Sequence, residues 1–206
     1  LKGSGGENVI KGGAGDDTIF GGAGDDNIRG EAGDDTIYGG SGADYLTGDD
    51  PYTTDSGADV FVFTTKDGST RNLQSNGSYG DIIDDFEPGV DKIIFQGMEG
   101  ISYSGDTYTI QNGDPWYSTE AAIEADTTIA NKVVFFVETG SNYSSTGTVG
   151  HLYVKGVGTG TDFDQMHITL DNVGTAPALS DIGFDVPEAS NTAPTATEMD
   201  AAQTTG

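Results

Sequence analysis

Cysteine is absent from this chain of 206 residues, and basic side chains are few. Without cysteine there are no disulfides, no thiolate metal ligands and no cysteine nucleophile. Eight Lys and Arg residues stand against 34 Asp and Glu residues, which gives a formal net charge of −26. A chain this acidic repels nucleic acid and anionic membrane surfaces, so we expect neither as a partner. We expect its natural partners to be cations.

Long apolar runs and histidines are also scarce. The longest apolar run, residues 133–137, is far too short to cross a bilayer, and the start of the chain has no signal-peptide pattern. His151 and His167 form neither an HExxH pair nor a zinc-type spacing, and no GxSxG elbow occurs. We predict no membrane insertion, no catalytic residue and two ordinary strand histidines. Because the chain starts at Leu1 rather than methionine, we expect it to be part of a longer protein.

A nine-residue repeat dominates the first quarter of the chain. Residues 12–47 contain four consecutive copies, GGAGDDTIF, GGAGDDNIR, GEAGDDTIY and GGSGADYLT. Every copy has aspartate at its sixth position and an aliphatic residue two places later. A weaker copy at 3–11 has Asn8 in place of the aspartate, and a further copy after a six-residue insertion has Asp59. The pattern predicts glycine-rich turns that alternate with short strands, and each strand buries one aliphatic side chain.

Such turns are suited to a hard cation. Glycines let the backbone turn its carbonyls inward, and the aspartate adds charge. Calcium takes about six to eight oxygen ligands, which one loop cannot provide. If two repeats make one turn of a flattened coil, each loop stacks on the loop two repeats away. The sequence therefore predicts metal between stacked loops.

The predicted metal sites follow from this stacking. The carboxylate pairs are Asp26/Asp44, Asp17/Asp35 and Asp35/Asp59, with a poorer site at Asn8/Asp26. The turn glycines expected to take part are Gly12, Gly13, Gly15, Gly21, Gly22, Gly24, Gly30, Gly33, Gly39, Gly40 and Gly42. The other acidic residue of each doublet, Asp16, Asp25 or Asp34, is expected to be solvated.

These nonapeptides resemble the repeats of the RTX, or hemolysin-type calcium-binding, family of bacterial secreted proteins. The resemblance implies an all-β fold in which residues 1–62 form a calcium-binding parallel β-roll, a two-strand solenoid, with about four Ca²⁺ sites. It also implies export by the type I secretion machinery of a Gram-negative bacterium and a secreted or cell-surface location.

A second block resembles the segment that follows the roll in serralysin-type carboxy-terminal domains. Its residues are GADVFVF at 57–63 and DIIDDFEPGVDKI at 81–93, and they predict strands with a turn at Pro88 and Gly89. Asp81, Asp85 and Asp91, together with Asp84, are candidates for one extra metal site. The alternative is edge-strand charge that discourages aggregation.

Residues 63–186 are predicted to cap the roll as a β-sandwich-like antiparallel region with one short helix. Gly105 and Asp106 indicate a hairpin between 101–104 and 107–110. Ser118 or Thr119 can cap a helix that runs to residue 125, and further strands are expected near 133–138, 151–155 and 166–170. Residues 187–206 have no apolar period and are predicted to be a linker to a following module.

Three functions fit this organisation. The favoured one is a non-catalytic calcium-binding module of a large adhesin or surface protein, which folds on calcium outside the cell. The alternatives are the export and stability tail of an RTX hydrolase, and a carbohydrate or surface-binding module. Trp116 is a candidate sugar platform, with a place in the core as the other interpretation. Expected partners are calcium ions, the type I secretion machinery, and cell-surface glycan or neighbouring extracellular modules.

Overall fold

The computed structural model describes residues 1–50, 57–64, 80–97, 102–110, 132–139, 148–155, 166–171, 173 and 175–184. Thirteen strands lie in these ranges, and no helix does. The strands are β1 (Val9–Ala14), β2 (Thr18–Ala23), β3 (Asn27–Ala32), β4 (Thr36–Ser41), β5 (Tyr45–Asp49), β6 (Val60–Thr64), β7 (Asp81–Ile83), β8 (Lys92–Gln96), β9 (Ser102–Ile110), β10 (Lys132–Thr139), β11 (Thr148–Lys155), β12 (Met166–Asp171) and β13 (Ile182–Gly183). Within the described ranges, no helix reaches the length and hydropathy of a membrane span.

Successive repeat strands alternate between two sheets, and within each sheet the repeat strands pair in parallel. One sheet has the order β1-β3-β5-β7-β12-β11-β10-β9, and the other has the order β13-β8-β6-β4-β2. In the repeat array, residues two repeats apart are in register, as Ile10 is with Ile28 and Ile19 is with Ile37. The predicted two-strand β-roll is therefore confirmed, and each loop stacks on the loop two repeats away.

The interior of the roll holds one aliphatic side chain per repeat. Ile19, Ile28, Ile37 and Leu46 are all 0 % exposed. Alternate residues of a strand point to opposite faces, so an aliphatic residue in each short strand gives a continuous apolar column. The column continues through larger side chains of β6 to β8 into the cap: Phe61, Phe63, Ile83, Ile93 and Phe95.

The roll continues into the strands after the repeats. β7 pairs with β5 and β8 pairs with β6, both in parallel. The turn at Pro88 and Gly89 lies where it was predicted, but it joins strands of opposite sheets, as the repeat loops do. β6 spans the predicted boundary between residues 62 and 63, and that boundary stays a prediction.

The cap strands extend one sheet of the roll. The predicted antiparallel pairing is right for β10 with β11 and for β11 with β12. It is wrong for β9 with β10 and for β12 with β7, which pair in parallel. The hairpin predicted at Gly105 and Asp106 is also wrong. These residues lie within the single strand β9, where the register against β10 shifts between Val133 and Phe135 and accommodates the two residues as a bulge.

The predicted helix near 118–125, Trp116 and the linker at 187–206 lie outside the described residues. His151 and His167 lie in β11 and β12, as predicted, and are buried with 3.0 Å between His151 Nδ1 and His167 Nε2.

Candidate metal centre

A ladder of side chains runs along each edge of the roll. In each ladder, the Oδ1 atom of one aspartate accepts a hydrogen bond from the backbone amide of the residue one coil earlier. The first edge contains Asn8, Asp26, Asp44 and Asp81, joined by N–O distances of 2.8, 2.8 and 2.8 Å. The second edge contains Asp17, Asp35, Asp59 and Asp91, joined by 2.7, 2.8 and 3.0 Å. The structure thus groups the repeat residues on two edges as the sequence predicts.

Asp81 and Asp91 are ladder members that the nine-residue spacing does not predict. They lie 37 and 32 residues after their partners instead of 18, so the sequence indicates only a separate acidic cluster. One local signal identifies them, since each is followed two places later by a buried isoleucine, Ile83 or Ile93. Asp81 is 1 % exposed and Asp91 is 3 % exposed, which excludes solvated edge charge for both.

The second carboxylate oxygen of several ladder aspartates is buried without a hydrogen-bond partner. This holds for the Oδ2 atoms of Asp26, Asp35 and Asp59. Burying a carboxylate oxygen without a hydrogen-bond donor costs free energy, because the oxygen loses its hydrogen bonds to water and makes none inside the protein. Each of these atoms is therefore available to a cation.

The first glycine of each repeat leaves room beside that oxygen. A Cβ built on Gly21 would meet Asp26 Oδ2 at 2.6 Å and the carbonyl oxygen of Gly39. A Cβ on Gly30 would meet Asp35 Oδ2 and the carbonyl oxygen of Gly48. Carboxylate and carbonyl oxygens from two stacked loops thus converge at one point, which is the ligand chemistry that Ca²⁺ prefers.

Side chains alone do not complete a metal site. Among the described residues, no group of three His, Asp or Glu side chains is arranged to hold an ion. The remaining ligands must come from loop carbonyls and water. Asn8 fits least well, because its Oδ1 already accepts from the amide of Ser4 at 2.5 Å and its side chain is uncharged.

The aspartates next to the ladder have a different role. Asp16 Oδ1 accepts from the amide of Asp34, and Asp34 Oδ1 accepts from the amide of Ala58, both at 3.0 Å. Both side chains are exposed, as predicted, and they join the outer parts of stacked loops.

Burial leaves the ladder charges poorly compensated. It raises the pKa of Asp26 and Asp35, and it raises the pKa of Asp59 to about 7 and that of Asp91 to about 6. Backbone amides lower these pKa values in part, and neighbouring carboxylates raise them further. The folded roll therefore gains most from a ligand that brings positive charge.

Comparison with known proteins agrees with this geometry. The family model described as RTX calcium-binding nonapeptide repeat (4 copies) matches residues 1–28 and 20–50. Residues 1–50 are RTX calcium-binding nonapeptide repeats. The RTX resemblance and its cofactor, Ca²⁺, are thereby confirmed, and the array is a non-catalytic calcium-binding unit.

The chain is also similar to solved structures over more than its repeats. The AlgE6R3 subunit of the Azotobacter vinelandii mannuronan C5-epimerase is 25 % identical, with a TM-score of 0.52, over 93 % of this chain and 86 % of that chain. The AlgE6R2 subunit of the same enzyme is 24 % identical, with a TM-score of 0.48, over 91 % of this chain and 94 % of that chain. No curated protein matches the chain.

Without calcium, acid should stabilise the RTX roll. Burial raises the pKa of Asp59 to about 7 and that of Asp91 to about 6 in the folded chain, both above the ordinary value of 3.8 for an aspartate. Their contribution to stability is therefore fully present below the unfolded pKa and is lost as pH rises through about 6 to 7. In calcium-free buffer we therefore expect more β signal in circular dichroism at about pH 5 than at about pH 8, where the chain is largely unfolded.

With calcium bound, the pH dependence of folding should reverse. Acid should then destabilise the roll, because protons compete with the ion for the same carboxylates. A calcium-free β signal that rises from acid to alkaline pH would show that these groups are ionised and satisfied without metal.

Proposed function

We propose that this chain is a calcium-folded module of a protein exported by the type I secretion machinery of a Gram-negative bacterium. The observation that carries the proposal is the row of buried Oδ2 atoms at Asp26, Asp35 and Asp59, which have no hydrogen-bond partner inside an RTX roll. In the cytosol calcium is scarce and these carboxylates repel one another. Outside the cell the metal binds only the folded form, so its binding free energy becomes folding free energy.

The proposed ligands are ladder carboxylates together with the carbonyl oxygens of the first glycines. The sites lie between stacked loops at Asp26/Asp44, Asp17/Asp35 and Asp35/Asp59, and Asn8/Asp26 forms a weaker one. Carbonyl oxygens of Gly30, Gly39 and Gly48 support this assignment because each approaches the first glycine of the loop stacked on it.

Weak individual sites are sufficient for this mechanism. Extracellular calcium modules commonly bind with dissociation constants of about 0.1 to 1 mM. An ion present at about ten to a hundred times its dissociation constant contributes about 1.4 to 2.7 kcal/mol. A few such sites together match the whole stability of a typical domain, about 5 to 15 kcal/mol. Calcium therefore decides whether the roll folds.

Asp35→Asn should weaken calcium binding, because Asp35 belongs to two of the proposed sites. The amide oxygen can still accept from Asp17 N, while the buried Oδ2 becomes an uncharged NH₂ group. We expect the calcium midpoint of folding to rise by about tenfold or more, equivalent to about 1.4 kcal/mol. Circular dichroism during a calcium titration measures this midpoint.

Asp34→Asn is the matched control. It makes the same charge change one residue away, at an exposed side chain whose Oδ1 can still accept from Ala58 N. We expect its midpoint to stay within about twofold of the parent chain. Equal shifts in the two variants would mean that only net charge matters, and the ligand assignment would then be wrong.

The module could belong to either of two kinds of longer protein. A large adhesin or surface protein, in which calcium stiffens the module, is supported by the Thr- and Ala-rich composition of 187–206. An accessory module of an extracellular enzyme is supported by the likeness to a mannuronan C5-epimerase subunit over 93 % of this chain.

Calcium-loaded protein can be tested for binding to mannuronan and to a glycan array. Calcium-dependent binding to mannuronan favours the enzyme accessory, and absence of all glycan binding removes a carbohydrate-recognition role.

A further inference from the structure

The segment after β7 lies against the last repeat loop of the roll. β7 pairs with β5 in parallel, with Ile83 opposite Leu46, and the amide of Asp84 then donates to the carbonyl oxygen of Leu46 at 3.0 Å. In the same register, Asp85 lies level with Gly48, which is the first glycine of its repeat. The chain therefore has a carboxylate side chain where a further repeat would have glycine.

Asp85 accepts hydrogen bonds from two successive amides of this loop. Its Oδ1 accepts from the amide of Gly48 at 3.0 Å, and its Oδ2 accepts from the amide of Asp49 at 2.8 Å. Hydrogen bonds to an ionised carboxylate are stronger than those between neutral groups, and two of them fix the geometry of both partners. Asp85 lies outside both ladders, so it acts on the loop backbone and does not extend a row of ladder carboxylates.

The amide of Asp49 and the carbonyl of Gly48 belong to one peptide group. A trans peptide group is planar, and its N–H and C=O bonds point in opposite directions. Because Asp85 Oδ2 holds the N–H side, it also sets the direction of the Gly48 carbonyl oxygen on the other side. The carboxylate next to the N–H also polarises the peptide group, which makes the carbonyl oxygen a better ligand.

The Gly48 carbonyl oxygen is directed at a buried carboxylate. A Cβ built on Gly30 would meet this carbonyl oxygen at 2.6 Å, and it would also meet Asp35 Oδ2. Asp35 is 0 % exposed, and its Oδ2 has no hydrogen-bond partner. The two oxygens therefore converge where the proposed calcium ion lies between the loops of Asp35 and Asp59.

We propose that Asp85 is a positioning residue for the calcium site between Asp35 and Asp59. Its carboxylate holds the amides of Gly48 and Asp49 and so directs the Gly48 carbonyl oxygen at the ion. This inference rests on the proposed function, because it requires an ion between these loops. Affinity at this site thus depends on the segment after β7, which leads from the roll into the cap.

Asp85→Asn tests this role in the full chain, because the amide side chain keeps one acceptor but loses the charge and the second acceptor. We expect the calcium midpoint of folding, measured by circular dichroism, to rise by about tenfold, as is usual when the partner of a metal ligand is removed. Asp16→Asn is the matched control, since it removes an exposed charge while its Oδ1 can still accept from Asp34 N. Its midpoint should stay within about twofold of the parent value.

A double-mutant cycle distinguishes positioning from a purely structural role. Asp35→Asn disables the proposed site, so adding Asp85→Asn should then raise the midpoint by less than about twofold. Asp26→Asn acts on the other edge, so adding Asp85→Asn to it should give the full increase of about tenfold. Equal effects of Asp85→Asn in the two backgrounds would overturn the proposal, because a residue that only stabilises the fold adds its effect to either variant.

Europium(III) in place of calcium gives a second measurement that needs no double variant. Luminescence lifetimes in H₂O and D₂O count the water molecules on the bound ions. Asp85→Asn should show more bound water than the parent chain, because water replaces the misdirected carbonyl oxygen of Gly48. Asp85→Glu keeps the charge but moves both oxygens, so it should show the same increase and decides the result if Asp85→Asn does not fold.

The parent number of water molecules in the folded variants would contradict the positioning role of Asp85. A parent chain whose folding does not respond to calcium would instead refute the proposed function, so the two failures are distinguishable.

Discussion

In calcium-free buffer near neutral pH, the chain is expected to lose most of its β signal in far-ultraviolet circular dichroism, and millimolar calcium is expected to restore it cooperatively. The roll buries Asp26, Asp35 and Asp59 with an unpartnered oxygen on each. An uncompensated buried charge costs several kcal/mol, so three of them offset much of what a column of single aliphatic side chains contributes. Metal must therefore bind as the loops stack.

Magnesium is the control for this titration. It prefers strict octahedral geometry and gives up its water reluctantly, so loops of carbonyl and carboxylate oxygens suit calcium better. We expect magnesium at the same concentration to restore little of the signal. A chain already folded in chelator, with a spectrum indifferent to calcium, would make the roll a pre-formed scaffold and would refute calcium-coupled folding.

Gly30→Ala should destabilise the calcium-loaded chain by about 2 to 3 kcal/mol, because its methyl group enters a space that is already filled. The added Cβ would meet Asp35 Oδ2 on one side and the carbonyl oxygen of Gly48 at 2.6 Å on the other. The carbonyl belongs to the backbone of a stacked strand and cannot move alone. Both oxygens are proposed ligands, so calcium affinity should fall together with stability.

Gly6→Ala is the matched control, since a Cβ at Gly6 meets nothing within 4 Å. We expect this variant to melt near the parent temperature, or slightly above it because alanine restricts the unfolded chain. Thermal melts in saturating calcium should show a fall of roughly 5 to 10 °C for Gly30→Ala. Similar melting of both variants would indicate that the loops separate freely and that the close approach is not required.

Much of the roll could be predicted because its information is local. Nine-residue spacing places Ile19, Ile28, Ile37 and Leu46 on one interior column and assigns alternate aspartates to opposite edges. Each interaction repeats at a constant offset, so one period is enough to predict the next. The same reasoning misplaced Asp81 and Asp91, because the chain between the coils is longer there and the constant offset is lost.

The cap could not be predicted to the same depth, because its pairings join segments far apart in sequence. Gly105 and Asp106 have the composition of a tight turn, yet they lie within β9 because pairing along β10 continues on both sides of them. β12 joins β7 in parallel across more than eighty residues of chain, and no local pattern encodes that choice. A strand with unpaired backbone groups can pair with any segment that offers hydrogen-bond partners, so the folded chain decides which strands become neighbours.

The amino-acid sequence was enough to predict a calcium-binding β-roll and the two edges on which its repeat aspartates lie, since these depend on residue types at fixed short spacing. Only the tertiary structure showed that both ladders extend to Asp81 and Asp91 and that Asp49 and Asp85 meet at the end of the roll. The physical reason is that a long insertion leaves the ends of a loop free to meet many partners. Burial, backbone hydrogen bonding and charge then select one arrangement in the folded chain.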